Sequence, residues 1–169
     1  MSKFNKCLLQ GQFYELEFLK YIDFDDFTLA PKGCKEYDLK ILKDDKLTFY
    51  EVKSEMNCRK YGNACIEYEC NGKISGINAT TSDFWVHFNI IDKDANEYII
   101  YLIPVEKLRE MIKNLEYKKD MRGGDGMRAK FYLFDLKKFE PYIFPLIKIK
   151  NDNDITFPTT PSKLKVLYT

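Results

Sequence analysis

A single histidine, His87, stands among 169 residues, and no Cys-x-x-C pair accompanies it. Standard zinc-ligand spacings are therefore missing, although Cys58, Cys65 and Cys70 lie near one another in the chain. The five cysteines make an odd number and set out no disulfide framework, which points to a reducing compartment. Positive charge in excess is also missing: 27 Lys and Arg meet 26 Asp and Glu, for a net charge of +1. With no whole-molecule basic field, contact with a polyanion must come from a local patch or through metal ions. There is no apolar run of about 18 residues and no leader-like segment, so a soluble cytoplasmic protein without membrane contact is expected. The pattern G-x-x-x-x-G-K-[ST] does not occur, which excludes a nucleotide P-loop. No internal repeat is visible.

What is present favours a sheet. Apolar residues make up 45% of the chain, with 12 Tyr and 13 Phe. Such a composition suits a sheet-rich α/β or α+β fold with a real core. The length predicts one domain over residues 1–150, followed by a C-terminal tail over residues 151–169.

The most informative stretch is Glu36-Tyr37-Asp38-Leu39-Lys40-Ile41-Leu42, then Lys43-Asp44-Asp45-Lys46, then Leu47-Thr48-Phe49-Tyr50-Glu51-Val52-Lys53. Two alternating runs flank a polar turn, which reads as a hairpin. With Leu42 facing Leu47, Asp38 falls opposite Glu51. Tyr37, Leu39, Ile41, Thr48, Tyr50 and Val52 then share one face, and Asp38, Glu51 and Lys53 share the other. Opposed carboxylates repel unless something neutralises them. A hard divalent cation does so, and Mg2+ commonly takes one or two carboxylates. Lys53, two residues beyond Glu51, is placed to orient or deprotonate a water. The same pattern also fits a solvated face with Glu36 and Lys53 as a surface ion pair.

Residues 3–23 carry helical periodicity, with Leu8, Leu19 and Ile22 on one side and Leu16 at its edge. Glu15 falls within that stripe and Glu17 points the opposite way. A carboxylate centred on an apolar face must meet a cation or a polar cleft, or else snorkel from the edge of the core. Phe27–Ala30 reads as a short strand before the hairpin.

Further on, Ala64–Cys70 reads as a strand with Glu67 and Glu69 on one face, and Asn71-Gly72 as a turn. Lys60, Lys73, Ser75 and the Gly76 amide are candidates for phosphate contact, or simply parts of a hairpin and a capped start. Phe84–Phe88 is an apolar run containing His87, for which a place in the core or on the sheet face is expected. Glu97–Ile103 reads as a central strand. Pro104–Asn114 reads as an amphipathic helix with Val105, Leu108, Met111 and Ile112 inward. Residues 118–128 form a glycine-rich basic segment, read as a loop whose Arg122 and Arg128 grip phosphates or are simply solvated. Residues 129–134 and 143–149 read as later strands, and residues 151–154 as a turn.

The order helix, short strand, hairpin, with Asp38 and Glu51-Val52-Lys53 on the hairpin, resembles the PD-(D/E)xK nuclease superfamily. Tyr37 replaces the proline of the motif name, which is not a ligand. Gly11-x-x-x-Glu15 is similar to the first-helix glutamate of that superfamily. The stretch from Gly62 through Glu67, Gly72-Lys73, Ser75-Gly76-Ile77 and Asp83-Phe84-Trp85 resembles phage- and virus-type members related to archaeal-type Holliday-junction resolvases. This resemblance implies an α/β fold: a single restriction-endonuclease-like domain with a mixed central β-sheet flanked by helices. It implies a DNA endonuclease that uses Mg2+, with Mn2+ as substitute. Asp38, Glu51, the Val52 carbonyl and Glu15 would hold the metal, and Lys53 would act on water. It also implies a homodimer, branched or duplex DNA as partner, and a phage or virus as a possible source. A restriction endonuclease or exonuclease with the same site, or a non-catalytic DNA-binding module on this fold, remains open at this point.

Overall fold

A computed structural model describes residues 3–56, 58–92 and 97–146, with only the backbone of residues 3–8, 59 and 125. The expected strand beyond residue 146, the turn at 151–154 and the tail over 151–169 lie outside the described residues. The fold is α/β, with a mixed central sheet and few helices. Helix α1 (Lys3–Phe18) comes first and runs into a 3-10 turn at Leu19–Tyr21. Strands β1 (Asp26–Leu29), β2 (Leu39–Lys43) and β3 (Lys46–Met56) follow, then the short helix α2 (Cys58–Tyr61). Next are β4 (Asn63–Cys70), β5 (Lys73–Ile74), β6 (Phe84–Asp92), β7 (Glu97–Pro104) and helix α3 (Val105–Lys113). The last described strands are β8 (Lys119–Gly123), β9 (Ala129–Asp135) and β10 (Ile143–Phe144).

The central sheet has the order β1-β2-β3-β6-β7-β10. Only β3 and β6 run parallel, with Lys53 opposite His87; the other neighbours are antiparallel. The sequence places the Glu97–Ile103 run at the centre, but β7 lies one strand from the edge and β3 and β6 fill the middle. A second sheet, β5-β4-β9-β8, is antiparallel throughout and was not legible beforehand as a separate layer. It takes in residues 119–123, expected as loop. These pair with β9 from Lys119 opposite Leu133 to Gly123 opposite Ala129, so backbone pairing overrides the turn-forming composition.

The hairpin forms in the register read from its pattern. Leu39 lies opposite Tyr50 and Leu42 opposite Leu47. Asp44 and Asp45 turn the chain with φ of 49° and 59°, the left-handed pair that matches strand twist in a two-residue loop. Asp25 anchors that turn by accepting the Asp44 N–H at 2.7 Å. Leu39, Ile41, Tyr50 and Val52 share one face as expected, and that face packs into the core that α1 joins. Tyr37 does not join them. It precedes β2, escapes the alternation, and packs its ring on Phe49 on the opposite face.

Two cores result. In the first, Phe13, Tyr14, Leu16 and Phe18 of α1 meet Val52, Val86, Phe88 and Ile100. Burial extends beyond the expected stripe of Leu8, Leu19 and Ile22 with Leu16 at its edge, of which the Leu8 side chain lies outside the described residues. Ring pairs such as Tyr14 on Phe88, at 4.9 Å between centroids, fill the space. Glu17 is also buried in this core, only 3% exposed. Its carboxylate accepts from the Tyr98 hydroxyl at 2.6 Å and from the Lys20 ammonium at 2.6 Å, and Tyr98 meets the Tyr21 hydroxyl at 2.7 Å. The second core joins Ala64, Ile66 and Phe134 of the second sheet to Trp85, Tyr101 and Ile103 of the first, with Leu108 and Met111 of α3. Among the described residues no helix is long and apolar enough to cross a membrane.

Removing the Tyr98 hydroxyl leaves a buried carboxylate short of one charge-assisted hydrogen bond. Tyr98→Phe is expected to lower stability by about 1.5–3 kcal/mol, read as a lower urea midpoint with an unchanged slope.

Candidate active site

Three elements bring four side chains together. Strand β3 supplies Glu51 and Lys53 on the face away from α1, because residues two apart share a face. The bend before β2 supplies Asp38, held by its own N–H donating to the Tyr50 carbonyl at 2.9 Å. Helix α1 supplies Glu15, whose carboxylate folds back over Gly11. A β-carbon there would stand 3.9 Å from Glu15 Oε1, ordinary contact, so the glycine is not a steric demand of this glutamate.

The Lys53 ammonium lies between two of the acids, 2.9 Å from Asp38 Oδ2 and 2.6 Å from Glu51 Oε1. Asp38 Oδ2 also accepts the Val52 N–H at 2.8 Å. In an extended strand a residue's N–H and C=O point to the same edge, so the Val52 carbonyl is directed toward the side where β2 has ended. The Glu51 side chain is 6% exposed, that of Asp38 24% and that of Lys53 36%, so the group opens outward from a buried floor. The alternative of a surface pair between Glu36 and Lys53 is not what forms. Lys53 turns to Asp38 and Glu51, while Glu36 uses its backbone.

The Glu36 carbonyl accepts from the Thr81 N–H at 2.8 Å and the Thr80 hydroxyl at 2.9 Å. This ties the Asp38 segment to the loop that starts β6. Asp83 completes the join: its carboxylate accepts the Phe49 N–H at 2.8 Å, and its own N–H donates to the Phe49 carbonyl at 2.9 Å. Thr80 also lies beside the Glu51 carboxylate and eases its upward shift. Sequence reasoning missed these positioning residues. Their signals were the polar run Thr80-Thr-Ser-Asp83 ahead of an apolar strand and the place of Asp83 in the motif likeness.

Charge at the site is unbalanced. Burial would depress the Lys53 ammonium, yet Asp38 and Glu51 together push it above its ordinary range. Burial raises Glu51, Lys53 opposes that, and Asp38 adds to it. Glu15 is raised to about 8, first by burial and then by Asp38, with Lys53 opposing and Glu51 adding. One ammonium cannot serve three carboxylates, so the third takes a proton.

The phosphate-binding candidates divide. Lys73 on β5, Arg122 on β8 and Arg128 just before β9 lie on neighbouring cross-strand rows at one end of the second sheet, beside Lys130. Lys130 is engaged with Glu69 at 2.9 Å. Lys60, on α2, sits at the opposite end of β4 from Lys73 and stacks over Tyr61, so it does not join them. Ser75 donates its hydroxyl to Glu67 Oε1 at 2.7 Å. Gly76, at φ 50°, passes so close to Glu67 that a β-carbon would fall 2.1 Å from its carbonyl oxygen. Close backbone packing accounts for Gly76 in the structure. Between the sheets lies a cavity of about 420 Å3, with Lys53 and Trp85 on one wall and Glu67, Gly123 and Phe131 on the other.

No protein-family model matches this chain, and neither a curated protein nor a solved structure matches it.

The raised Glu15 carboxyl makes stability depend on pH. Below about 4.5 the group is protonated in both states; between there and about 8 only the folded protein keeps the proton. Its contribution is therefore present at the acid end and is lost as pH rises through about 8. Glu15→Gln should flatten urea-measured stability across this window in EDTA, removing a slope of at most about 1.4 kcal/mol per pH unit. An identical pH profile in variant and wild type would refute the assignment.

Proposed function

We propose that this protein is a metal-dependent nuclease that hydrolyses DNA phosphodiester bonds, with Asp38, Glu51, Glu15 and Lys53 at its centre. The observation that carries the reading is the excess of acid: Asp38 and Glu51 share the Lys53 ammonium, and burial and Asp38 raise the nearby Glu15 carboxyl to about 8. An all-oxygen donor set of this kind suits Mg2+, or Mn2+ in its place. Asp38, Glu51, Glu15 and the Val52 carbonyl are the groups that would hold it. When bound, such a metal supplies Lewis acidity toward a phosphoryl oxygen and toward water.

The chain's own groups have distinct parts. Lys53 places a positive charge where negative charge builds on the phosphate, and its three donors orient water. While Asp38 and Glu51 are unneutralised, it is a poor base. Neutralising them removes the cause of its upward shift and leaves burial to lower it, which brings proton transfer within reach. Lys73, Arg122 and Arg128 give a local basic edge for the phosphate backbone in a molecule with almost no net charge.

The parallel pair β3 and β6, preceded by α1 and the acid-bearing hairpin, supports a restriction-endonuclease-like reading of the central sheet. The second sheet is an addition to that plan. Within this reading the resolvase-like substrate, branched DNA cut by a homodimer, is preferred over restriction or exonuclease action because of the motif likeness around residues 62–85.

The test is cleavage of labelled linear duplex, single strand and four-way junction with Mg2+, Mn2+ or EDTA. Asp38→Asn, Glu51→Gln and Lys53→Ala are each expected to reduce metal-dependent cleavage by about 100-fold or more. Retained cleavage in a Glu51→Ala, Lys53→Ala double variant would reject the site. Calorimetric titration separates an enzyme from a binding module, since the latter needs no Mg2+ site that vanishes with Asp38 and Glu51.

A further inference from the structure

A second group of donors meets around His87, further along the same strands. Glu55 on β3, Cys58 on α2 and His87 on β6 each present a ligand atom within 4.8 Å of the others. His87 Nε2 stands 3.5 Å from Cys58 Sγ and 3.5 Å from Glu55 Oε2. Cys65 on β4 adds to the group. Its N–H donates to Glu55 Oε2 at 2.9 Å. Glu55, Cys65 and His87 all line the cavity between the sheets, whereas Cys58 and His87 are almost wholly buried.

One familiar use of such residues does not fit. In a nucleophilic Cys–His–Glu relay the thiol and the acid engage opposite ring nitrogens. Here acid and thiol both face Nε2, and Nδ1 has no partner. Hydrogen bonds account for part of the cluster, since the Cys58 thiol also reaches the Glu55 carbonyl at 3.9 Å, but that contact is long and the buried Nδ1 stays unpaired. A cation at the point of convergence satisfies nitrogen, sulfur and oxygen together.

We propose that Glu55, Cys58 and His87, with Cys65 as the nearest further sulfur, bind a thiophilic divalent cation of the Zn2+ class. Thiolate and imidazole select such an ion over Mg2+, and three protein ligands with one open position is a common zinc arrangement. The site is distinct from the three carboxylates: Glu55 is two residues from Lys53, about 7 Å along β3. Its occupation fastens β3, α2 and β6 together, and β4 through Cys65, beneath the cavity. The proposal does not depend on the nuclease reading.

Co2+ titration of the full chain tests it, because thiolate-to-Co2+ charge transfer gives a near-ultraviolet band that carboxylate ligation lacks. Wild type and an Asp38→Asn, Glu51→Gln variant should both develop this band with one Co2+ per chain, and Zn2+ should abolish it. Cys58→Ser and His87→Gln should lose it. Zinc-edge X-ray absorption of wild type, which needs no variant to fold, should show sulfur and nitrogen in the first shell. Absence of the band in wild type, its survival in Cys58→Ser, or an all-oxygen zinc shell would overturn the site.

Discussion

The ammonium of Lys53 is the point on which the central sheet balances. Asp38, in the bend just before β2, and Glu51 on β3 are held close together, and like charges so placed repel unless they are neutralised. Lys53 spans them within 3 Å of both. That bridge depends on the hairpin register, since a slip of one residue would turn Glu51 and Lys53 into the first core among Phe18 and Val86. It also depends on the loop at Thr80–Asp83, which clamps the Asp38 segment through the Glu36 carbonyl and zips β3 to the start of β6. Fold and site are therefore one problem here: the polar contacts that close the middle of the sheet are those that aim the acids.

Much of the central sheet was legible because its signals are local. The alternation in residues 39–52 sets the face of every hairpin residue, and the two aspartates of the turn leave one register. The closeness of Glu15 to Asp38 and Lys53 follows from a misfit, a carboxylate placed where apolar residues belong. The second sheet was not legible, because Lys119–Gly123 carries turn-forming residues and becomes a strand only by pairing with β9 from a distance. Glu17 shows the same limit. Its position on the helix suggests solvent, but Tyr98, 81 residues away, makes burial tolerable. The meeting of Glu55, Cys58 and His87 rests on the parallel pairing of β3 with β6, which no spacing rule between Cys and His reports.

The two sheets divide labour by the chemistry of their faces. Aromatic rings fill both cores, with Trp85 fully buried in the second while also walling the cavity beside Lys53. Lys53, Glu55, Glu67, Cys65 and His87 bring ionisable groups from strands of both sheets to that cavity. Gly76 marks how closely the parts fit: its backbone passes under the Glu67 carbonyl where no side chain has room.

The outermost strands of both sheets are short. Among the described residues β1 has four, β10 and β5 two each, and β8 five, of which Lys119, Asp120 and Arg122 are charged and exposed. Unpaired backbone along a long flat rim would template cross-β stacking, and brevity with charge is a usual guard against it. A protein with a net charge near zero has little long-range repulsion to keep its copies apart. Its colloidal safety therefore rests on these clipped rims, and lengthening one of them with β-branched residues would favour fibrils before it disturbed either core.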